Sequence, residues 1–218
     1  MSTAGRTPAM RLKSRWFGSA AAKSEAEQAS ALAFIAWRLA RQMIDRMRAA
    51  GFDIEAGAPY FAFLREVLAF LVALSDRLAY ARLSADGRAE FTPALVHHLA
   101  RILQENALDL LGPRPAGAPS YGDDFIDLVN ELGAHYAEFG ADPTAAAQGT
   151  AGFEPDFAFV RYLGSRLEGV LPEKDRRWTI DQVMGVEAPH AIAALQRAMA
   201  ELHDPAPRPA RRGALSGD

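Results

Sequence analysis

From Pro59 to Leu83 the chain carries Phe61, Phe63, Leu64, Val67, Leu68, Phe70, Leu71, Val72 and Leu74. Wound as an α-helix, these side chains take up nearly the whole circumference, and a helix apolar all round is stable only where other elements enclose it. Its longest charge-free run, Val67 to Ser75, is nine residues, whereas crossing a bilayer takes about twenty. The segment therefore reads as the central helix of a packed domain and not as a membrane span. The rest of the chain has to supply its coat.

That coat reads as helical too. Ser24-x-x-Glu27 is a capping box, in which each side chain satisfies the other residue's free backbone N–H. Leu32, Ile35, Leu39, Met43 and Met47 follow at three- and four-residue steps, Arg46 and Arg48 suit the negative end of the helix dipole, and Gly51 provides a stop. The first helix is predicted over 24–50 and the second over 59–83. Asp86-Gly87 is expected to turn the chain, with Thr92-Pro93 opening a third helix that runs to Gly112-Pro113. Ser120 is the expected cap of a fourth helix ending at Gly140. Residues 141–153 form the longest internal linker. Pro155, Pro172 and Pro189 each stand where a further helix begins. No segment sustains the alternation of a strand. The expectation is an all-α, single-domain antiparallel bundle of six to seven helices over 24–203. A basic disordered lead-in (1–23, with Arg6, Arg11, Lys13, Arg15 and Lys23) precedes it, and a disordered tail (204–218) rich in proline and arginine follows.

Composition narrows the chemistry. The chain has 218 residues and no cysteine, which excludes disulfides, thiolate metal sites and a cysteine nucleophile. A formal charge of −3 argues against general nucleic-acid binding. Neither GxGxxG, GxxxxGK[ST] nor G-x-S-x-G occurs, so no cofactor is implied and an enzyme is the less favoured class. The lead-in has no apolar run of signal-peptide length, and a cytoplasmic location is expected.

Three sets of residues are candidates for function. On the second helix Glu66 and Arg77 share a side with Phe63, Phe70 and Leu74, and Tyr80 lies nearby. Buried charges need partners. Either Asp45 or Arg41 on the first helix supplies an ion pair, or the face is open and binds a peptide or small ligand. Phe153, Phe157, Phe159 and Tyr162 gather at the start of the fifth helix, as core or as a docking patch. The ligand- or partner-binding candidates are thus Glu66, Arg77, Tyr80, Phe157 and Tyr162. The metal candidates are His98 and Glu105 beside the third helix's apolar stripe and Glu131 and His135 beside the fourth's. If the two edges face one another, a carboxylate–imidazole cluster forms; otherwise Glu131 and His135 are an ordinary i,i+4 pair. Glu187-x-x-His190 has ligand spacing but is interrupted by Pro189.

The stretch from Leu132 to Leu171, with Glu154-Pro155-Asp156 opening a helix after an aromatic-rich helix and a glycine, resembles the TorD/NarJ chaperones that help to mature molybdenum oxidoreductases. Leu110 to Phe125 is similar to that family's glycine–proline loop. Phe157 stands where the family has a histidine. The resemblance covers under a third of the chain and implies an all-helical cytoplasmic chaperone that binds a peptide. The sequence leads to a helical protein-binding or accessory protein, with that chaperone role and a His/Glu metal protein as alternatives. A protein partner is expected, and a homodimer is possible through the second helix.

Overall fold

The computed structural model describes residues 23–139 and 153–203. Among these the fold is all-α, with seven α-helices and no strand. Helix α1 spans Glu25–Ala49, α2 Ala58–Tyr80, α3 Ala85–Leu111, α4 Tyr121–Ala137, α5 Phe157–Val170, α6 Glu173–Gln182 and α7 Ala188–His203. The π-helical turn Val183–Glu187 joins α6 to α7. Helix α2 is central and touches α1, α3, α4, α5 and α7. Phe63, Leu64, Val67, Leu68, Phe70, Leu71 and Leu74 on it are fully enclosed. By length and composition α2 is the one helix among the described residues apolar enough to cross a membrane, and 67% of its apolar window lies buried inside the fold. Its apolar character is thus accounted for by the helices packed on it.

The caps explain most helix starts. Ser24 and Glu27 form the expected box on α1, Ser120 accepts the N–H of Asp123 on α4, and Asp156 accepts that of Phe159 on α5 at 2.7 Å. Three boundaries differ from expectation. The turn expected at Asp86-Gly87 is the first turn of α3, because the Ser84 side chain accepts the Gly87 N–H and caps the helix about two turns before Thr92. Glycine suits that place: a Cβ on Gly87 would stand 3.3 Å from the Ser84 hydroxyl and 3.4 Å from the Glu25 carboxylate at the start of α1. Pro93 then lies inside α3, and the Thr92 hydroxyl donates to Asp76 at 2.7 Å instead of capping. Helix α4 ends at Ala137, before Gly140. The last helix begins at Ala188, next to Pro189 as expected, but no break separates it from α6. The π turn ahead of it absorbs the change and places Glu187 in the interior, bonded to Arg46 at 2.8 Å and to Gln182 at 3.2 Å. The lead-in (apart from Lys23), the tail and nearly all of the 141–153 linker lie outside the described residues.

Candidate functional site: an aromatic junction of α2, α4 and α5

Glu66, Phe70 and Arg77 recur along one face of α2, at four- and seven-residue steps. Glu66 is only 6% exposed. Its carboxylate accepts two parallel bonds from Arg166 of α5, Nε to Oε2 at 2.9 Å and Nη2 to Oε1 at 2.8 Å. This fork is the strong, geometrically specific form of the ion pair. It raises the pKa of Arg166, through the hydrogen bond first and the charge of Glu66 after it.

Arg77 has a different kind of partner. Its Nη2 donates to the carbonyls of Tyr136, Ala137 and Phe139 at 3.2, 2.7 and 3.1 Å. These carbonyls lie at and just beyond the negative end of α4, where a cation is favoured. The same guanidinium lies 5.5 Å from the centre of the Phe153 ring. One side chain therefore touches both the end of α4 and Phe153 on the approach to α5. The expected partners Asp45 and Arg41 are not used. A helix end and a residue a hundred positions away take their place.

Between the two charged groups lies a cluster of rings. Tyr136 of α4 is 4.8 Å from Phe159 and 5.1 Å, edge-on, from Tyr162. Phe70 meets Phe159 at 5.4 Å, Phe139 meets Tyr162 at 5.5 Å, and the His135 ring lies 5.7 Å from Tyr162. Tyr136, Phe70 and Phe159 are enclosed, whereas Phe139, Phe153 and Tyr162 are half-buried and His135 is exposed. The cluster thus runs from core to surface. Burial raises the Tyr162 pKa, opposed by Arg166.

Among the described residues the buried Tyr136 hydroxyl has no hydrogen-bond partner. Burial first, and the neighbouring Glu66 charge second, hold its pKa far above the usual phenol value. An unsatisfied buried hydroxyl costs about 1–3 kcal/mol, so Tyr136→Phe should raise stability at pH 7 by about 1 kcal/mol while keeping the ring contacts. A second effect has a defined sign. Above pH about 10 the phenol ionises in the unfolded chain but not in the folded one. The unfolded state then binds one proton fewer, and stability falls by about 1.4 kcal/mol per pH unit from this group. Urea unfolding from pH 7 to 11 should show that alkaline decline reduced in the variant; equal slopes would mean that Tyr136 is not the group responsible.

Of the five binding candidates, Glu66, Arg77 and Tyr162 meet at this junction. Phe157, the first residue of α5, stands 70% exposed. Tyr80 faces a separate cleft of about 640 Å³ between the end of α2 and the start of α3. There Arg88 lies 5.2 Å from its ring and forks onto Asp76 at 2.8 and 2.6 Å. The four metal candidates are not brought into one group: no set of three or more histidine and acidic side chains among the described residues can hold a metal ion. Glu105 accepts from Arg101 at 2.9 Å on the exposed side of α3. The His98 pKa is lowered by desolvation and then by Arg101. Glu131 and His135 instead border the junction, where the charge of Glu131 acts on Tyr162 and Arg166. Sequence reasoning missed Arg166 and Tyr136. Arg166 was visible only as a basic residue flanking the Phe159–Leu163–Leu167 stripe, and Tyr136 as a phenol on the apolar stripe of α4.

Comparison with protein-family models, with curated proteins and with solved structures finds no match to this chain. The resemblance to the TorD/NarJ chaperones gains no support from them.

Proposed function

We propose that this chain is a helical protein-binding accessory protein and that a partner polypeptide docks on the outer edge of the aromatic junction. One observation carries the reading: Phe157, at the start of the helix that brings Phe159 and Tyr162 into the junction, is 70% exposed, and Phe139, Phe153 and Tyr162 are only half-buried. Aromatic surface is what a binding site buries to most effect, and here the fold leaves it uncovered on a rigid support. The Glu66–Arg166 fork and the Arg77 cap support the role, because they fix α4 and α5 against α2 and so pre-organise the rings. The segment Glu154–Asp156, on which the chaperone resemblance rests, leads directly into Phe157, so a maturation chaperone would use the same edge.

A photo-crosslinking residue at position 157, with position 34 as control, tests the reading in cells of the native host. Phe34 on α1 is 58% exposed and matches Phe157 in residue type. A discrete adduct at 157, absent at 34 and lost with Tyr162→Ala, is the expected result. A molybdenum oxidoreductase subunit in it would select the chaperone role, and an adduct of twice the chain's mass would make the partner a second copy. Equal labelling at both positions, or none, sinks the proposal.

A further inference from the structure

Helix α1 packs on α2, α3 and α7, and one side of it is left uncovered among the described residues. Glu27, Ser30, Phe34, Arg38, Arg41 and Asp45 follow one another there at three- and four-residue steps and lie within about 40° of Phe34 around the helix. Ser30 is half-buried and the others are exposed. Phe34 is 58% exposed and meets no other ring and no cation among the described residues. Arg38, Arg41 and Asp45 form no hydrogen bond or ion pair there either. Glu27 uses one carboxylate oxygen to accept the Ser24 N–H at 3.1 Å, which leaves the second free for a cation.

A single exposed ring is ordinary. The order of the charges on either side of this one is not. Glu27 precedes Phe34 by seven residues and Arg41 follows it by seven. Lys23 precedes it by eleven and Asp45 follows it by eleven, again with opposite sign. A two-fold axis through Phe34 sets each residue of one copy against the residue equally far from Phe34 on the other. Arg41 then faces Glu27 of the second copy and Asp45 faces its Lys23, and symmetry makes each pairing twice. Arg38 faces Ser30, whose small side chain leaves it room. The two helices run antiparallel, so their dipoles oppose favourably. Other arrangements lose the match. Parallel helices would set Arg38, Arg41 and Asp45 each against itself. An antiparallel pair shifted so that Phe34 meets Arg38 would set Asp45 against Glu27.

We propose that the outward face of α1 pairs with the same face of a second copy of this chain, antiparallel and centred on Phe34. A homodimer through α2 is not available, because the apolar side chains of that helix are already enclosed. The two Phe34 rings bury apolar surface at the centre of the contact, which is where binding energy concentrates. The flanking ion pairs remain at the rim and add little affinity; they fix the register and the direction of pairing. A contact built on one helix lies at the small end of stable interfaces, so the dissociation constant is expected at about 10–100 μM. The proposal does not rest on the aromatic junction.

The test is sedimentation equilibrium of the full chain up to about 300 μM. The expected result is a reversible dimer that Phe34→Ser weakens at least tenfold. Arg41→Glu and Glu27→Arg should each sediment as monomers, since each sets like charges opposite one another across the axis. An equimolar mixture of these two variants should regain the dimer, because one copy then carries an acid at both positions and the other an arginine at both. Arg101→Glu, a charge reversal on the exposed side of α3, should leave association unchanged. A photo-crosslinking residue at position 34 should give an adduct of twice the chain's mass, distinct from an adduct of another polypeptide at 157. A wild-type chain that stays monomeric up to about 300 μM overturns the proposal. So does a dimer indifferent to Phe34→Ser, a variant that leaves the Ser24–Glu27 cap untouched. A mixture of the two charge variants that stays monomeric, with each retaining the wild-type circular dichroism, overturns it as well.

Discussion

Arg166→Ala is expected to lower the unfolding free energy by about 3 kcal/mol at neutral pH, while replacing Glu66 and Arg166 together with leucine should cost about 1 kcal/mol or less. The contrast follows from where the cost arises. With Arg166 gone, the Glu66 carboxylate, 6% exposed, keeps its place among the rings of α2 and α5 and loses both of its hydrogen bonds. Removing both partners takes away that uncompensated charge and fills the space with apolar volume. The Arg166 side chain is 31% exposed, which puts the single-variant effect at the lower end of the range for broken buried pairs, about 3–5 kcal/mol. Urea denaturation of the two single variants and the double variant completes the cycle. A double variant as unstable as Arg166→Ala would mean that the fork itself, not the stranded carboxylate, carries the stability.

The larger loss belongs to Phe70→Ala, expected at about 3–5 kcal/mol. Phe70 is fully enclosed on the central helix and packs edge-on to Tyr136 at 6.0 Å as well as against Phe159. Neither neighbour can follow the truncation easily, because the Glu66–Arg166 fork and the Arg77 cap hold α5 and α4 in place, so a cavity remains. In a chain of this size the midpoint of thermal unfolding should drop by about 10 °C. Phe157→Ala makes the matched control. With its ring 70% exposed, its loss should change stability by no more than about 0.5 kcal/mol, although it removes the surface proposed for docking. Thermal denaturation of both variants separates the ring that supports the junction from the ring that projects from it.

The helices were legible wherever the signal was local. The Ser24–Glu27 box, the Ser120 cap and the apolar circumference of α2 each lie within a few residues of what they determine. The start of α3 was misread because two caps competed. Thr92-Pro93 has the stronger motif, but Ser84 comes first and a helix already under way passes through Pro93, with Thr92 recruited by Asp76. The site was legible on one side only. Glu66 and Arg77 stood out as charges on a buried face, and their need for partners was correctly inferred. The partners were not, for two physical reasons. Arg166 is a hundred residues from Glu66, and no periodicity within either helix encodes which turn of α5 meets which turn of α2. Arg77 binds backbone carbonyls, which every residue possesses and no residue letter marks. The metal candidates show the converse. His98 and Glu105 lie correctly along α3, but helical phase alone did not determine which edge of α4 they would face.

Arg77 holds Phe139 by its carbonyl and Phe153 by its ring, and thereby pins both ends of the thirteen intervening residues to α2. One guanidinium on α2 thus couples the end of α4 to the approach to α5, so that whatever weakens its hold releases both at once.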